Sequence, residues 1–247
     1  MPTTKLMKLF VLLFFGMAGM TFLGAQEPSQ PQQQPPGFHF RAMYFKVDVP
    51  DDVYVHDNVA EPATLGVKVN LKNYLNFEAN ILQLKGDSLI FTTKAGRESL
   101  ADKASVIGTA VVHKGMRSAI CLFLPGTGKA GDPLCQVLVI EDTLASFPIG
   151  SLKAVNLSAS SVGIKLDKKQ YQIKSRDIQV IQDLPITPDM SCQMEIYSQP
   201  AGGAWKLMIQ SEFSHPGTRR ELQIYFDDLQ EGRTLLKGIT DITKSEY

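Results

Sequence analysis

Gln193–Gln210 reads QMEIYSQPAGGAWKLMIQ. Met194 and Ile196 alternate with Gln193, Glu195 and Tyr197. Beyond Gln199-Pro200-Ala201-Gly202-Gly203, Trp205, Leu207 and Ile209 alternate with Lys206, Met208 and Gln210. A period of two sends successive side chains to opposite faces of a strand, and Pro and Gly supply the fixed or positive φ that a reversal requires. The stretch is therefore expected to be a β-hairpin. Met194, Ile196, Trp205, Leu207 and Ile209 should point inward, and Tyr197 outward.

The same grammar runs through the rest of the chain. Arg220–Phe226 turns through Asp227–Gly232 into Thr234–Ile239, with Leu222, Ile224 and Phe226 expected inward and Tyr225 outward. Ile164–Leu166 turns through Asp167-Lys168-Lys169 into Tyr171–Ile173. Ile81–Leu84 and Ser88–Phe91 flank Lys85-Gly86-Asp87, and Val111–His113 and Arg117–Ile120 flank Lys114-Gly115; both read as further hairpins. Val106–Val112, Ser118–Leu124 and Val137–Ile140 are apolar almost throughout, as central strands covered on both sides are. No window sustains an apolar i, i+3, i+4, i+7 face, although short helical turns fit Lys72–Leu75 or Glu98–Ala104. Turn signals recurring every roughly eight to twelve residues indicate an all-β sandwich or barrel. A boundary at Glu141–Gly150 gives two tandem Ig-like antiparallel β-sandwich modules, residues 38–145 and 146–243. The alternative is one larger β-sandwich sharing a core across the midpoint. No internal sequence repeat is detectable.

Ahead of Phe38 the composition changes. Lys5 and Lys8 form a basic head, Leu9–Leu23 carries no charge, and Gly24-Ala25 offers a small-residue exit. These are the parts of a secretory signal, and the apolar run falls short of the roughly 20 residues that span a bilayer. Residues 1–25 are thus expected to be a signal peptide, which places the mature chain in the periplasm or outside the cell with no membrane span. Residues 26–37, QEPSQPQQQPPG, read as a disordered Pro/Gln-rich linker favouring polyproline II. With 25 Lys+Arg against 25 Asp+Glu the chain has no basic excess, which argues against a nucleic-acid partner. Its 44% apolar content is enough to fill a core.

Chemical motifs are sparse. Pro125-Gly126-Thr127-Gly128-Lys129-Ala130 has a Gly-Lys pair but lacks the spacing and the hydroxyl of a phosphate loop, and reads as a hairpin loop. The histidines, His39, His56, His113 and His215, lie far apart, and no Cys-x-x-Cys is present; no metal site and no cofactor are expected. His56-Asp57 near Asp51-Asp52 reads as an acidic solvated loop, and Asp227–Gly232 as a turn. No Gly-x-Ser-x-Gly occurs, though a triad assembled from distant segments leaves no local trace. Cys121 and Cys135 flank the Leu124–Pro133 loop. With its tip near Thr127–Lys129 they fall opposite one another, so either a Cys121–Cys135 disulfide or three buried thiols fits. Tyr197 and Tyr225, on outward positions, are the candidate ligand-binding residues, against ordinary cross-strand packing. Trp205 is assigned to the core.

Two stretches resemble known sequences. Ser146–Ser158, SFPIGSLKAVNLS, has the form F-P-x-G-S-x-[RK]-x-V-N-L-S, and Arg219–Asp228 running to Gly232-Arg233 is similar to a closing hairpin. Both resemble exported bacterial β-sandwich proteins of uncharacterised families. The resemblance implies an exported sandwich scaffold and assigns no residue a role. The expected function is a non-catalytic binding or envelope-assembly module contacting a protein partner. The alternatives are a glycan-binding module and a hydrolase with its site at the module junction.

Overall fold

The chain forms strands wherever the two-residue period is sustained. The computed structural model describes residues 37–242 apart from 60, 62, 76–77, 186–189 and 229; the expected signal peptide, and all of the Pro/Gln-rich linker but Gly37, lie outside these residues. The first half contributes β1 (Phe38–Tyr44), β2 (Tyr54–Asp57), β3 (Val67–Lys68), β4 (Leu71–Lys72), β5 (Asn80–Leu82), β6 (Ser88–Thr92), β7 (Val106–Val111), β8 (Ser118–Pro125) and β9 (Cys135–Glu141). The second contributes β10 (Leu152–Asn156), β11 (Ser161–Leu166), β12 (Lys169–Ile173), β13 (Ile178–Ile181), β14 (Ser191–Gln199), β15 (Lys206–Ser214), β16 (Arg220–Asp228) and β17 (Arg233–Asp241). One 3₁₀ turn, Arg97–Leu100, overlaps the expected 98–104 segment. Among the described residues no helix is long and apolar enough to cross a membrane.

These strands build four sheets. The first inner sheet runs β4-β1-β8-β9 with β5 also on β1, and the first outer sheet runs β3-β2-β6-β7. The second inner sheet runs β13-β10-β16-β17 and the second outer sheet β12-β11-β14-β15. Alternate residues assign their partners. Phe38, Phe40 and Ala42 of β1 and Ala119, Cys121 and Phe123 of β8 pack against Val55, Leu89 and Phe91 of the first outer sheet. Leu152 and Ala154 of β10 and Tyr225 of β16 pack against Val162, Ile164, Met194 and Ile196 of the second outer sheet. The remaining parity, Met43, Ile120 and Leu122, meets Val155, Leu222 and Ile224 in a third core between the inner sheets. The order of layers is outer, inner, inner, outer, and all described residues belong to one compact unit.

The halves repeat one topology. β1, β2, β3, β5, β6, β7, β8 and β9 correspond in order to β10–β17, and every pairing recurs with the same sense, including the parallel pairs β1·β8 and β10·β16. Even the irregularity recurs: a bulge interrupts β6·β7 after Phe91 and β14·β15 after Ile196. The connectivity is not that of immunoglobulin constant domains, whose first two strands share a sheet. Here β1 and β2, like β10 and β11, lie in different sheets. Strand spacing signals a sandwich but does not encode the pairing order.

Three of the expected hairpins form: β11–β12, closed at Leu166↔Lys169 with Asp167 at φ 50°; β14–β15; and β16–β17, closed at Asp228↔Arg233. Two do not. β5 pairs with β1 while β6 pairs with β2 and β7, so Lys85–Asp87 carries the chain between sheets. Lys114-Gly115 likewise passes from β7 to β8 across the first sandwich.

The inner sheets carry buried charge as well as apolar residues. Arg41 on β1 donates to both oxygens of Asp241, at 2.6 and 2.9 Å, and its Nε donates to Asp142 Oδ2 at 2.9 Å. Arg220 on β16 donates from Nε to Asp241 Oδ2 at 2.9 Å, and its Nη2 lies 2.9 Å from Asp142 Oδ1. The four groups form a ring of alternating charge, each no more than 9% exposed. Asp142 follows β9 and Asp241 ends β17, so Arg41–Asp241 and Arg220–Asp142 tie the inner sheets together. At the other end of this layer Phe45 meets Phe226 edge-on at 5.0 Å, with Lys46 Nζ 4.4 Å from the Phe226 ring centre. Removing one member of a buried ion pair leaves an uncompensated charge, a loss of about 3–5 kcal/mol. Asp241→Asn is expected to lower unfolding stability by that amount in urea titration; a loss under about 1 kcal/mol contradicts the arrangement.

Candidate functional site

The junction between the halves was a candidate place for catalytic carboxylates, and the structure brings Asp142 and Asp241 together there. Both are consumed in the ion-pair ring. Burial alone would push the Asp241 carboxyl up; the hydrogen bonds and charge of Arg41 and Arg220 reverse this and hold it below the usual range. Lys153 of β10 joins the cluster, donating to the Glu141 carbonyl at 2.6 Å and lying 4.8 Å from the centre of the Phe147 ring. Arg220 sits over the same ring at 4.3 Å and donates to the Phe147 carbonyl. Strand register makes this pattern a repeated one: aligning Arg41 with Lys153 also aligns Asp142 with Asp241. These groups hold the layers together.

Other expected site features resolve as follows. Tyr225 is fully buried in the second core, its hydroxyl donating to Gln223. The outward position inferred from alternation is thus corrected, because the inner sheet is covered on both faces. The Cys121–Cys135 disulfide is also corrected: both thiols are free. The register pairs Pro125 with Cys135 and Cys121 with Val139. The loop tip lies two residues beyond the expected centre, which offsets the cysteines by four residues, roughly 13 Å along the strand. A disulfide joins Cα atoms no more than about 7 Å apart. Burial pushes the Cys135 thiol up to about 11.

Residues 126–133 belong to the β8–β9 hairpin loop, Pro125 ending β8, and Asp228, at the end of β16, accepts from the Gln230 and Glu231 amides. His56-Asp57 is not a solvated loop. Both residues are buried on β2, and Asp57 accepts from the amides of Val59, Lys85 and Gly86. Among the described residues no group of three or more His, Cys, Asp or Glu is placed to hold a metal ion.

Tyr197 does face outward, with companions that simple alternation concealed. The β14·β15 bulge pairs Ile196 with Ile209 but Tyr197 with Leu207, so Met208 is the extra residue. The alternation therefore shifts by one at Met208. Ile209 and Phe213 pack inward, whereas Leu207 is 53% and Trp205 40% exposed. The core assignment of Trp205 and Leu207 is corrected by that single inserted residue, since a one-residue slip moves side chains to the other face.

The outer face of the second outer sheet thus presents two rows across its strands. One runs Gln172, Gly163, Tyr197, Leu207, and the next Gln170, Lys165, Glu195, Gln210. Trp205 lies over Gly163: a Cβ at 163 would stand 3.2 Å from Trp205 Cζ3 and 3.6 Å from Tyr197 Cβ. Lys165 donates to both oxygens of Glu195 at 3.0 Å, and the Tyr197 hydroxyl donates to Glu195. Those bonds hold the Glu195 carboxyl below its ordinary value, the Tyr197 bond contributing most. The hollow between Gly163, Lys165, Gln170, Gln172, Tyr171, Tyr197 and Trp205 measures about 520 Å³. No family model matches the chain, and no curated protein matches it.

Two outcomes check this description. Burial, with Arg220 beside it, lowers the Lys153 pKa from 10.5 to about 8 despite Asp142. Between those values the unfolded state binds more protons than the folded state, so the lysine's contribution to stability rises with pH through that window. Lys153→Met should therefore gain most over the wild type at and below about pH 8, and the gap should close towards pH 10.5. A pH-independent gap in urea titrations contradicts the burial. Thiol titration of the denatured protein should count three free thiols with or without reductant; a deficit of two before reduction contradicts the register.

Proposed function

We propose that the protein is an exported, non-catalytic binding module of the envelope or extracellular space, whose ligand seat is the outer face of the second outer sheet. One observation carries this reading: Trp205, Tyr197 and Leu207 stand on the solvent side of a regular sheet, while the acidic groups at the junction are buried in ion pairs. Exposed aromatic area beside hydrogen-bonding groups suits recognition, since an indole offers a large contact at small entropic cost. The resemblance of residues 146–158 and 219–233 to exported sandwich scaffolds, with the basic-apolar leader at 1–25, supports the compartment.

Docking of a protein along a sheet edge has its own support. β15 is an outermost strand, and its second residue is the exposed Leu207. An unpaired edge offers main-chain donors and acceptors to an added strand.

Affinity capture from envelope fractions and insoluble cell-wall material tests the location of the seat. Immobilised wild-type chain should retain a component that Trp205→Ala loses. Val111→Ala, on the outer sheet of the other half where Val111 is 61% exposed, should retain it. Equal capture by Trp205→Ala defeats this placement.

A further inference from the structure

We propose that this face binds a neutral, pyranose-containing glycan, with Trp205 as the stacking surface; this inference rests on the binding-module reading above. The first support is the contrast between the repeated halves. In the first half the part of the matching face around His56 is covered by the chain itself, while Thr109 and Val111 at its β7 edge stay exposed. His56 occupies the position of Lys165, opposite Ile90 as Lys165 is opposite Glu195. It is 2% exposed, lies against Gly66, and bonds through Nε2 to Thr92 and to the Lys94 carbonyl. The β6–β7 connection, residues 93–105 with its 3₁₀ turn, supplies that cover, and Arg97 anchors it by donating to the Asp57 carbonyl. The equivalent β14–β15 connection is only residues 200–205, and it ends in Trp205 instead of a cover. One topology thus has its outer face covered around His56 in one copy and open around an exposed tryptophan in the other.

The second support is Gly163. Its φ lies outside the left-handed region, so the backbone does not require glycine there. A glycine inside a strand is destabilising relative to alanine. What its missing side chain provides is room for the indole, which a Cβ would crowd at 3.2 Å. The sequence thus accepts a weaker strand to seat a half-exposed tryptophan over it.

The chemistry around the indole selects the ligand. Gln170 and Gln172 line the hollow with Trp205, and Gln193 and Gln210 stand farther along the same face. Each amide both donates and accepts, as a sugar hydroxyl does. Lys165, the cation that lines the hollow, is paired with Glu195 and so is not offered to phosphate or sulfate. An indole face is complementary to the apolar C–H face of a pyranose ring, and the surrounding amides to its equatorial hydroxyls. A hollow of about 520 Å³ falls in the range of small-ligand sites. A protein interface would cover roughly 800 Å² per partner and favour an apolar centre over a glutamine-rich one.

Trp205 is the single tryptophan, so its fluorescence reports on this face alone. The protein should be screened on an array of neutral gluco-, manno-, galacto-, xylo- and N-acetylglucosamine oligosaccharides, and hits titrated by Trp205 emission. We expect at least one series to shift the emission saturably, with Gly163→Val weakening binding about tenfold or more. Gln172→Ala, an exposed change, should weaken it several-fold with an unchanged melting temperature, which separates loss of the ligand contact from loss of fold. Absence of a saturable shift across the array overturns the glycan assignment. If envelope capture then still depends on Trp205, the face binds a protein and the broader reading survives; if neither occurs, both fall.

Discussion

The ring formed by Arg41, Asp142, Arg220 and Asp241 is the constraint on which the architecture depends. Four ionised groups are withdrawn from water, at a desolvation cost of several kcal/mol per ion. Only near-ideal pairing offsets such a cost, and each arginine here contacts both aspartates. Apolar surfaces alone tolerate sliding, because dispersion contacts have little directionality. A ring with fixed fork geometry fixes one register between the inner sheets. The third core, with Met43, Ile120 and Leu122 against Val155, Leu222 and Ile224, then packs in a single arrangement. The two outer sheets are thereby held at fixed places on opposite sides of a common centre.

That layering explains what the sequence shows and what it hides. The all-β class is legible because alternation and turn residues act locally. Ile164–Ile173 gave a hairpin of the expected form because its reversal needs only Asp167 and Lys168. The Ile81–Phe91 reversal has the same local grammar yet crosses between sheets, and pairing with β1 decides this at long range. Tyr225 was misplaced because alternation distinguishes faces without saying that both are covered. The buried Lys153 and Arg220 are hidden for the same reason: nothing near them in sequence marks a charge as internal. The topological repeat is likewise invisible in residue identities. It survives in pairing order, in the bulge and in the matched positions of Arg41 and Lys153.

The candidate site was half legible. Tyr197 was found by alternation, but Trp205 and Leu207 were assigned to the core because Met208 is one residue too many for its strand. A bulge leaves no compositional mark in KLMIQ, and its effect is to reverse which apolar residues meet solvent. Gly163 offered the one available clue, a glycine inside an otherwise regular strand. The open face is therefore a consequence of tertiary pairing, and its contrast with the covered part around His56 becomes visible only once the halves are superposed by register.

Native-state hydrogen exchange on the wild type and Arg41→Met tests the common centre most directly. Arg41 lies in the first half, and both its carboxylate partners also serve Arg220. If one ring fixes both inner sheets, the slowest amides of β10 and β16 should lose the same opening free energy as those of β1 and β8. Loss confined to β1 and β8, with β10 and β16 fully protected, would show that each half stands by itself and that the ring is incidental.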